Sequence, residues 1–396
     1  MKRRHFISQV AGGAVGAALI SGSARAQSAA AAGRLTRTPM VLMAPRPDGF
    51  EAVWGVTTLC RGRIEWLDAD GGKGVAGTDA FGFVPQGDKV LRVRVAGLKP
   101  GRTYRVRAVT SAAESDLVET TDWKPFRTLD PAAGATSFVV WNDTHINNPT
   151  IKALHEKTPS ADFLLWNGDT CNDWKTEDLL VPTLLHPGEC DITDGRPLLL
   201  TWGNHDVRGR FGFRMPEMVA TPSGRPFYAF RSGPVAFIFM DTGEDKPDDH
   251  PTFAGRVSFD RLRKEQARWL AKTIKLPEFA TAPYRVMCCH IPLRWTDESP
   301  QDYANRGFDR HSGRSRAAWH DSLVAWKAQV IISGHTHRAT WMPATAEFPY
   351  AQLIGGGPQP ERATWMEGAA DADRLRIVVR NLTGGTAHDV SFSPLV

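Results

Sequence analysis

The sequence predicts an all-β sandwich followed by an α/β core whose strands are covered on both faces. Three observations carry this. Up to about Leu129, short runs alternate apolar and polar residues between Gly, Pro and Asp clusters, as half-buried antiparallel strands require. From Ser137 onward the runs become continuously apolar ("SFVVW", "DFLLW", "RPLLLTW", "VAFIFMDT", "YRVMCCH", "AQVIISGH"), with helical patterns between several of them. Each of these runs also ends in polar residues, and in such folds the chemistry lies beyond the carboxyl ends of the strands. With 396 residues, 42% hydrophobic and 23% charged, the chain has material for two cores.

The elements follow in chain order. Residues 1–26 have the plan of an export signal: Lys2-Arg3-Arg4-His5-Phe6-Ile7, a short apolar stretch from Ala11 to Ile20, and the small-residue exit Ala24-Arg25-Ala26. The paired arginines ahead of Phe6 resemble a twin-arginine signal, which implies a periplasmic or secreted protein exported after folding. No other apolar stretch is long enough for a membrane helix, so no stable membrane insertion is expected once the signal is removed. The signal holds four of the 48 basic residues and none of the 43 acidic ones, so the remainder carries 44 against 43, a net charge of +1 in place of +5. That balance gives no electrostatic case for a nucleic-acid partner. Five cysteines are too few for a disulfide scaffold and leave at least one unpaired. Cys288-Cys289 is read as buried packing, and Cys171 with Cys190 as the pair a bridge would join.

Residues 27–37 form an Ala/Gly-rich flexible spacer. Residues 38–129 form the first sandwich, with strands near Glu51–Val56, Arg63–Leu67, Lys89–Val95 and Thr103–Val109. The stretch "LKPGRTYRVRA" (Leu98 to Ala108) resembles a corner of fibronectin type III domains, where the hydroxyl of Tyr104 would tie the chain back to its own backbone. After the linker "LDPAAGA", residues 136–396 form the α/β part. In "SFDRLRKEQARWLAKTI", Phe259, Leu262, Trp269, Leu270 and Ile274 share a helical face, with Ser258 at the N-cap. From about Tyr350 the strands "LRIVVRNL" and "HDVSFS" are expected to finish the second sheet.

The polar strand ends are the informative part. They read Asn142-Asp143-Thr144-His145, then Asn167-Gly168-Asp169, then Gly203-Asn204-His205-Asp206, then His290, then Gly334-His335-Thr336-His337. Five strand ends thus present seven candidate ligands: Asp143, His145, Asp169, Asn204, His290, His335 and His337. Histidine mixed with carboxylate suits zinc, iron or manganese better than calcium or magnesium. Asp143 with His145, and His335 with His337, stand at i and i+2, so in extended chain each pair shares one face and grips one ion. Glycines 168, 203 and 334 allow sharp turns at the rim.

D-x-H, G-D, G-N-H-D, a lone His and G-H-T-H in this order resemble the calcineurin-like metallophosphoesterase superfamily, over roughly Ser137 to Val396. The preceding segment resembles the amino-terminal domain of purple acid phosphatases. The resemblance implies a four-layer β-sandwich flanked by helices, and two divalent or mixed-valence transition metal ions (Mn, Fe or Zn). Asp143, His145 and His337 would hold one ion, Asn204, His290 and His335 the other, with Asp169 bridging. Purple acid phosphatases supply a tyrosine to ferric iron. None of the five tyrosines here lies in the motifs, so neither the purple colour nor an obligatory ferric ion is expected.

The implied function is hydrolysis of phosphate monoesters on a small phosphorylated substrate, by attack of a metal-bridging hydroxide. The alternatives are a phosphodiesterase acting on nucleotides or lipid headgroups, and a non-catalytic secreted metal-containing binding protein. His205 would face the substrate as proton donor. Asp206 either orients His205 through a ring nitrogen or caps the turn. Asn142 and Asn172 flank the ligands and are expected either to support them or to contact the substrate. One of Arg208, Arg210 and Arg294 is expected to bind phosphate oxygens. "DTGEDKPDDHP" (Asp241 to Pro251) reads as a solvated acidic loop, or one in which His250 and its neighbours hold an ion. Trp141, Trp166 and Trp202 are expected as core or rim packing.

Overall fold

The computed structural model describes residues 33–79, 81–294 and 312–395. The expected signal, and the spacer up to residue 32, lie outside the described residues; the end of the expected spacer is instead packed, with Leu35 buried in the first sandwich and Thr36 bridged to Val56. Nine described strands precede residue 130: β1 (Val41–Arg46), β2 (Gly49–Gly55), β3 (Cys60–Asp68), β4 (Lys73–Ala76), β5 (Gln86–Gly87), β6 (Val90–Val95), β7 (Thr103–Ala112), β8 (Val118–Thr120) and β9 (Lys124–Arg127). Twelve follow: β10 (Thr136–Trp141), β11 (Phe163–Asn167), β12 (Leu198–Thr201), β13 (Tyr228–Ser232), β14 (Val235–Phe239), β15 (Tyr284–Cys288), β16 (Val330–Ser333), β17 (Thr340–Met342), β18 (Ala351–Ile354), β19 (Thr364–Ala370), β20 (Leu375–Asn381) and β21 (Thr386–Phe392).

These make three sheets. The largest has nine strands in the order β21-β20-β19-β10-β11-β12-β1-β2-β6; a six-stranded sheet runs β13-β14-β15-β16-β18-β17. The third runs β4-β3-β7-β8, with β5 on β3 and β9 on β7. The continuously apolar runs are the parallel strands β10-β11-β12 and β14-β15-β16, the latter joined in parallel by β18. Both faces of each are buried, which is why the sequence there does not alternate. Between the two large sheets lies a core of Phe138, Val140, Phe163 and Leu165 against Phe237, Phe239, Val286 and Ile332.

Helices cover the outer faces. Helix α1 (Asn148–Lys157), with Asn147 accepting from the Thr150 N–H at its start, joins α2 (Leu180–Leu185) and α3 (Met215–Met218) over the nine-stranded sheet. On the other side, α4 (Phe259–Thr273) and α6 (Ser312–Ala325), with the short α5 (Pro277–Ala280) between them in sequence, cover the six-stranded sheet. The four-layer arrangement expected from the sequence is present. One expectation fails: β20 and β21 extend the nine-stranded sheet beyond β19 and leave the second sheet to close on β17. Another is the N-cap of α4, where the Ser258 side chain makes no capping bond and the Asp248 carboxylate accepts from the Asp260 N–H instead.

The amino-terminal strands make a sandwich with a shared wall. Strands β1, β2 and β6 present Leu42, Phe50, Trp54, Leu91 and Val93 to Ile64, Tyr104, Val106 and Ala108 of the third sheet. Their opposite face presents Val41, Met43 and Val53 to Trp141, Leu164 and Leu198. Strand β1 pairs with β12 in parallel, Met43 facing Leu198, so hydrogen bonding continues across the linker that separates the two parts in sequence. The Tyr104 hydroxyl accepts the Lys99 N–H at 2.9 Å, the backbone tie expected there.

Candidate metal centre

The parallel registers set Trp141 beside Trp166, Asn167 beside Thr201 and Cys288 beside Ile332, so five strands end level at one rim. Beyond that rim the seven expected residues meet. Ligand atoms of Asp143, His145, Asp169 and His337 lie within 4.8 Å of one another, as do those of Asp169, His290 and His335. Asp169 belongs to both groups, whereas His335 and His337, expected from their spacing to grip one ion, fall in different groups. Asn204 joins the second through its Oδ1, 2.8 Å from His335 Nδ1.

The backbone bends hard to do this. Asp143, His145, Asp169, His335 and His337 all have φ between 45° and 71°, the left-handed region that side chains disfavour. Each such residue costs on the order of 1–3 kcal/mol and persists only where the surroundings enforce it. Here the enforcement is visible. Asp143 accepts the His335 N–H on both oxygens, at 3.0 and 2.9 Å, and the Asp169 Oδ1 accepts the His205 N–H at 2.9 Å. Gly168 shares the positive φ, and any Cβ there would strike the His290 ring. Glycines 203 and 334 do not have a positive φ: they are required because Asp169 and Asp143 press against them.

Imidazole orientation is set from behind. His290 Nδ1 donates to the Asn167 carbonyl at 2.8 Å, and His145 Nδ1 donates to Asn172 Oδ1 at 3.0 Å. In each Nε2 is then the nitrogen that faces inward, the one a metal-binding histidine uses once it is unprotonated. His145 Nε2 and His337 Nε2 stand 3.0 Å apart. His290 Nε2 lies 3.2 Å from Asp169 Oδ2 and 3.7 Å from Asp143 Oδ1 yet forms no aligned hydrogen bond with either, although it is fully buried.

Electrostatics agree with that geometry. Burial alone would lower the His290 basicity, but the carboxylates of Asp169 and Asp143 outweigh it and push its pKa up to about 10. Burial would raise Asp169; the His290, His205 and His145 rings reverse it and hold the carboxyl well below its usual range. Burial keeps His145 and His335 below the ordinary value, while the hydrogen bond that His337 donates to the Asp143 carboxylate raises His337. An orphaned buried nitrogen between two carboxylates, with imidazole, carboxylate and amide donors around it, fits a transition-metal cation.

Around this cluster the expected roles divide. The His205 ring, 27% exposed, faces outward, with its Nδ1 bonded to the Asn172 carbonyl and 3.6 Å from Asp173 Oδ1. Asp206 does not orient it. Its oxygens are taken by the Thr170 N–H (3.0 Å), the Thr170 hydroxyl (2.5 Å) and the Gly203 N–H (2.8 Å), so it ties two rim loops together beneath the site. Asn142 fastens β10 to β16 through the Ser333 carbonyl. Arg208 reaches the site, its Nη1 3.2 Å from His205 Nε2. Arg294 is engaged elsewhere: its guanidinium is buried against the carbonyls of Met342, Pro343 and Tyr350. Arg210 is exposed, bonded to the Lys175 carbonyl and laid over Phe211. Cys171 and Cys190 are free thiols, Cys171 buried beside Asp206.

The acidic loop is the main surprise. Asp241, Thr242, Glu244 and Asp245 are all buried, at a sixth strand end, that of β14. Glu244 and Asp245 clamp the Arg208 guanidinium, and burial beside Asp245 raises the Glu244 pKa to about 8. The loop can be buried because α4 satisfies its backbone: Arg263 donates to the Thr242 and Glu244 carbonyls, and Gln266 pairs with both backbone groups of Asp241. Polar residues three apart on the buried face of α4 were the signal in the sequence. His250 is not part of a metal-type cluster among the described residues.

Fold and site together define an α/β sandwich with residue groups that could hold metal at one rim. Residues 136–339, just over half of the chain, match the calcineurin-like phosphoesterase family model. The chain belongs to that family, whose members hydrolyse phosphoesters around a dinuclear metal site. Serine/threonine-protein phosphatases CPPED1 of Homo sapiens and Pongo abelii are 23% and 22% identical over 205 residues, half of this chain and 60% of each relative's length. The chain therefore spans less than two thirds of the curated relatives it matches. Among solved structures, the purple acid phosphatase PPD1 from yellow lupin (Lupinus luteus) seeds superposes with a TM-score of 0.68 at 13% identity, over 89% of this chain and 74% of that one. A PhoD structure gives 0.58 at 11% identity, over 89% and 88%. These two show likeness of fold.

Proposed function

We propose that the chain is an exported phosphoesterase that carries two transition-metal ions and hydrolyses phosphate monoesters. The observation that carries this reading is the convergence of seven side chains at one rim in two groups sharing Asp169. Asp143, His145 and His337 would hold one ion, Asn204, His290 and His335 the other, with Asp169 between them. Manganese, iron or zinc suits these donors. Bound ions supply an acidified water and positive charge opposite the phosphoryl oxygens.

The chain's own side chains supply the rest. His205, fixed on its Nδ1 side by the Asn172 carbonyl and Asp173, delivers a proton from its outward edge to the leaving oxygen. Arg208, immobilised by Glu244 and Asp245, places a guanidinium beside that ring for a phosphoryl oxygen. Asn172 serves twice, holding His145 with its side chain and His205 with its backbone. The monoester preference draws on the phosphatases named among the relatives, and export on the pattern of residues 1–26.

The test is turnover of p-nitrophenyl phosphate against bis(p-nitrophenyl) phosphate by manganese-loaded protein. Faster cleavage of the monoester, abolished by a chelator and restored by metal, is the expected result. Faster cleavage of the diester would reverse the preference, and cleavage of neither would end the phosphoesterase reading. Export is tested separately: replacing Arg3 and Arg4 with Lys should retain the protein in the cytoplasm.

A further inference from the structure

Beside the metal centre, on the His337 side, opens a cavity of about 560 Å³. Its walls come from the loop after β16, with Thr336, His337 and Arg338, and from the opposite side, with Glu361, Arg362 and Asn381. His337 belongs to both places: its Nε2 is 3.5 Å from Asp143 Oδ1, so the cavity begins where the ligand cluster ends. Its size is that of a small-molecule site.

The arginines here differ from others near the rim. Arg208 is clamped by two carboxylates, and Arg263 and Arg294 are spent on backbone carbonyls. The guanidinium groups of Arg338 and Arg362 are exposed and make no hydrogen bond or ion pair with any described residue. One carboxylate, Glu361, shares the wall with them, which leaves a net positive cavity lined by hydroxyl and amide groups. Planar guanidinium forks in such a place match a carboxylate or phosphate.

Resting on the phosphoesterase reading, we propose that this cavity receives the leaving group of the substrate and selects monoesters whose leaving group carries a second anionic group. A phosphoryl group at the metal centre directs its ester substituent past His337, and Arg338 and Arg362 meet the far anion.

The test compares kcat/KM of the metal-loaded full chain for three esters of one length: propyl phosphate, 3-phosphooxypropionate and propane-1,3-diol bisphosphate. The expected result is a preference for the two anionic esters over propyl phosphate of about tenfold or more, the scale of one charged hydrogen bond. The variant R338A/R362A should bring that ratio close to one. Inhibition by 3-phosphonopropionate relative to propylphosphonate should follow the same pattern without turnover. The carboxylate and phosphate arms show which anion is preferred.

Equal kcat/KM for all three esters in the native chain would overturn the inference. So would an equal fall for all three in the variant, which would place the arginines on the transferred phosphoryl group. A preference for propyl phosphate would overturn it in favour of the apolar groove formed by Trp202, Val207 and Phe213. If p-nitrophenyl phosphate is cleaved while the ratio is one, only this inference falls. If that ester is not cleaved either, the phosphoesterase reading falls and takes the inference with it.

Discussion

Metal uptake should release a proton from His290, and the structure sets how steeply affinity depends on pH. In the metal-free protein the Asp169 and Asp143 carboxylates hold this buried ring protonated up to a pKa of about 10. A cation needs the Nε2 lone pair and so competes with that proton. Below about pH 10, and while the two carboxylates stay ionised, the competition costs about 1.4 kcal/mol per unit, a factor of about ten. Raising the pH from about 6 to about 8 should therefore strengthen binding about 100-fold through His290 alone. His337, also raised, adds to the slope at the acid end, whereas His145 and His335, lowered by burial, add little near neutrality. The sign for the metal-free fold is opposite. A raised folded value stabilises fully below the unfolded pKa of about 6.5, and that stability is lost as pH climbs toward about 10. Calorimetric titration with manganese or zinc, in two buffers of different ionisation enthalpy, counts the proton directly. At pH 7 the count should be one or slightly more, falling by one in His290→Gln. Binding that is independent of pH, with heats that do not change between buffers, would refute the reasoning.

Three further outcomes are expected. His205→Ala should keep its metal content while kcat falls by ~10²–10⁴, read by steady-state kinetics beside elemental analysis. Asp206→Ala leaves the Thr170 and Gly203 N–H groups buried without their acceptor, so urea unfolding should show a loss of about 2–5 kcal/mol. Arg294→Ala should cost about 1–3 kcal/mol of stability with KM unchanged, because its guanidinium serves carbonyls rather than substrate.

The site was legible in the sequence where its signal is local. Apolar runs ending in Asp143, Asp169, Asn204, His290 and His335 show both the parallel strands and the side at which they deliver polar groups. What was not legible depends on distant partners. Asp206 stands next to His205 in sequence, yet the turn closed by its own N–H on the Gly203 carbonyl sends the carboxylate inward to Thr170. Composition makes Glu244 and Asp245 look solvated, and only Arg208 and Arg263, from other elements, explain their burial. Arg294 follows a candidate ligand by four residues and still turns into the carbonyls of another strand pair. Asp and His tolerate the left-handed region better than most side chains, but that preference does not mark these five residues in the sequence, because the contacts they make impose the conformation.

The pairing of β1 with β12 makes the catalytic half a poor candidate for separate expression. Truncation near residue 130 would strip Val41, Met43 and Val53 from Leu198 and Trp141, and turn β12 into a bare edge beside exposed apolar surface. Such an edge is a template for pairing between molecules. The amino-terminal layer thus serves as a built-in cover against self-association, and shortened versions of the enzyme should precipitate even with every ligand residue intact.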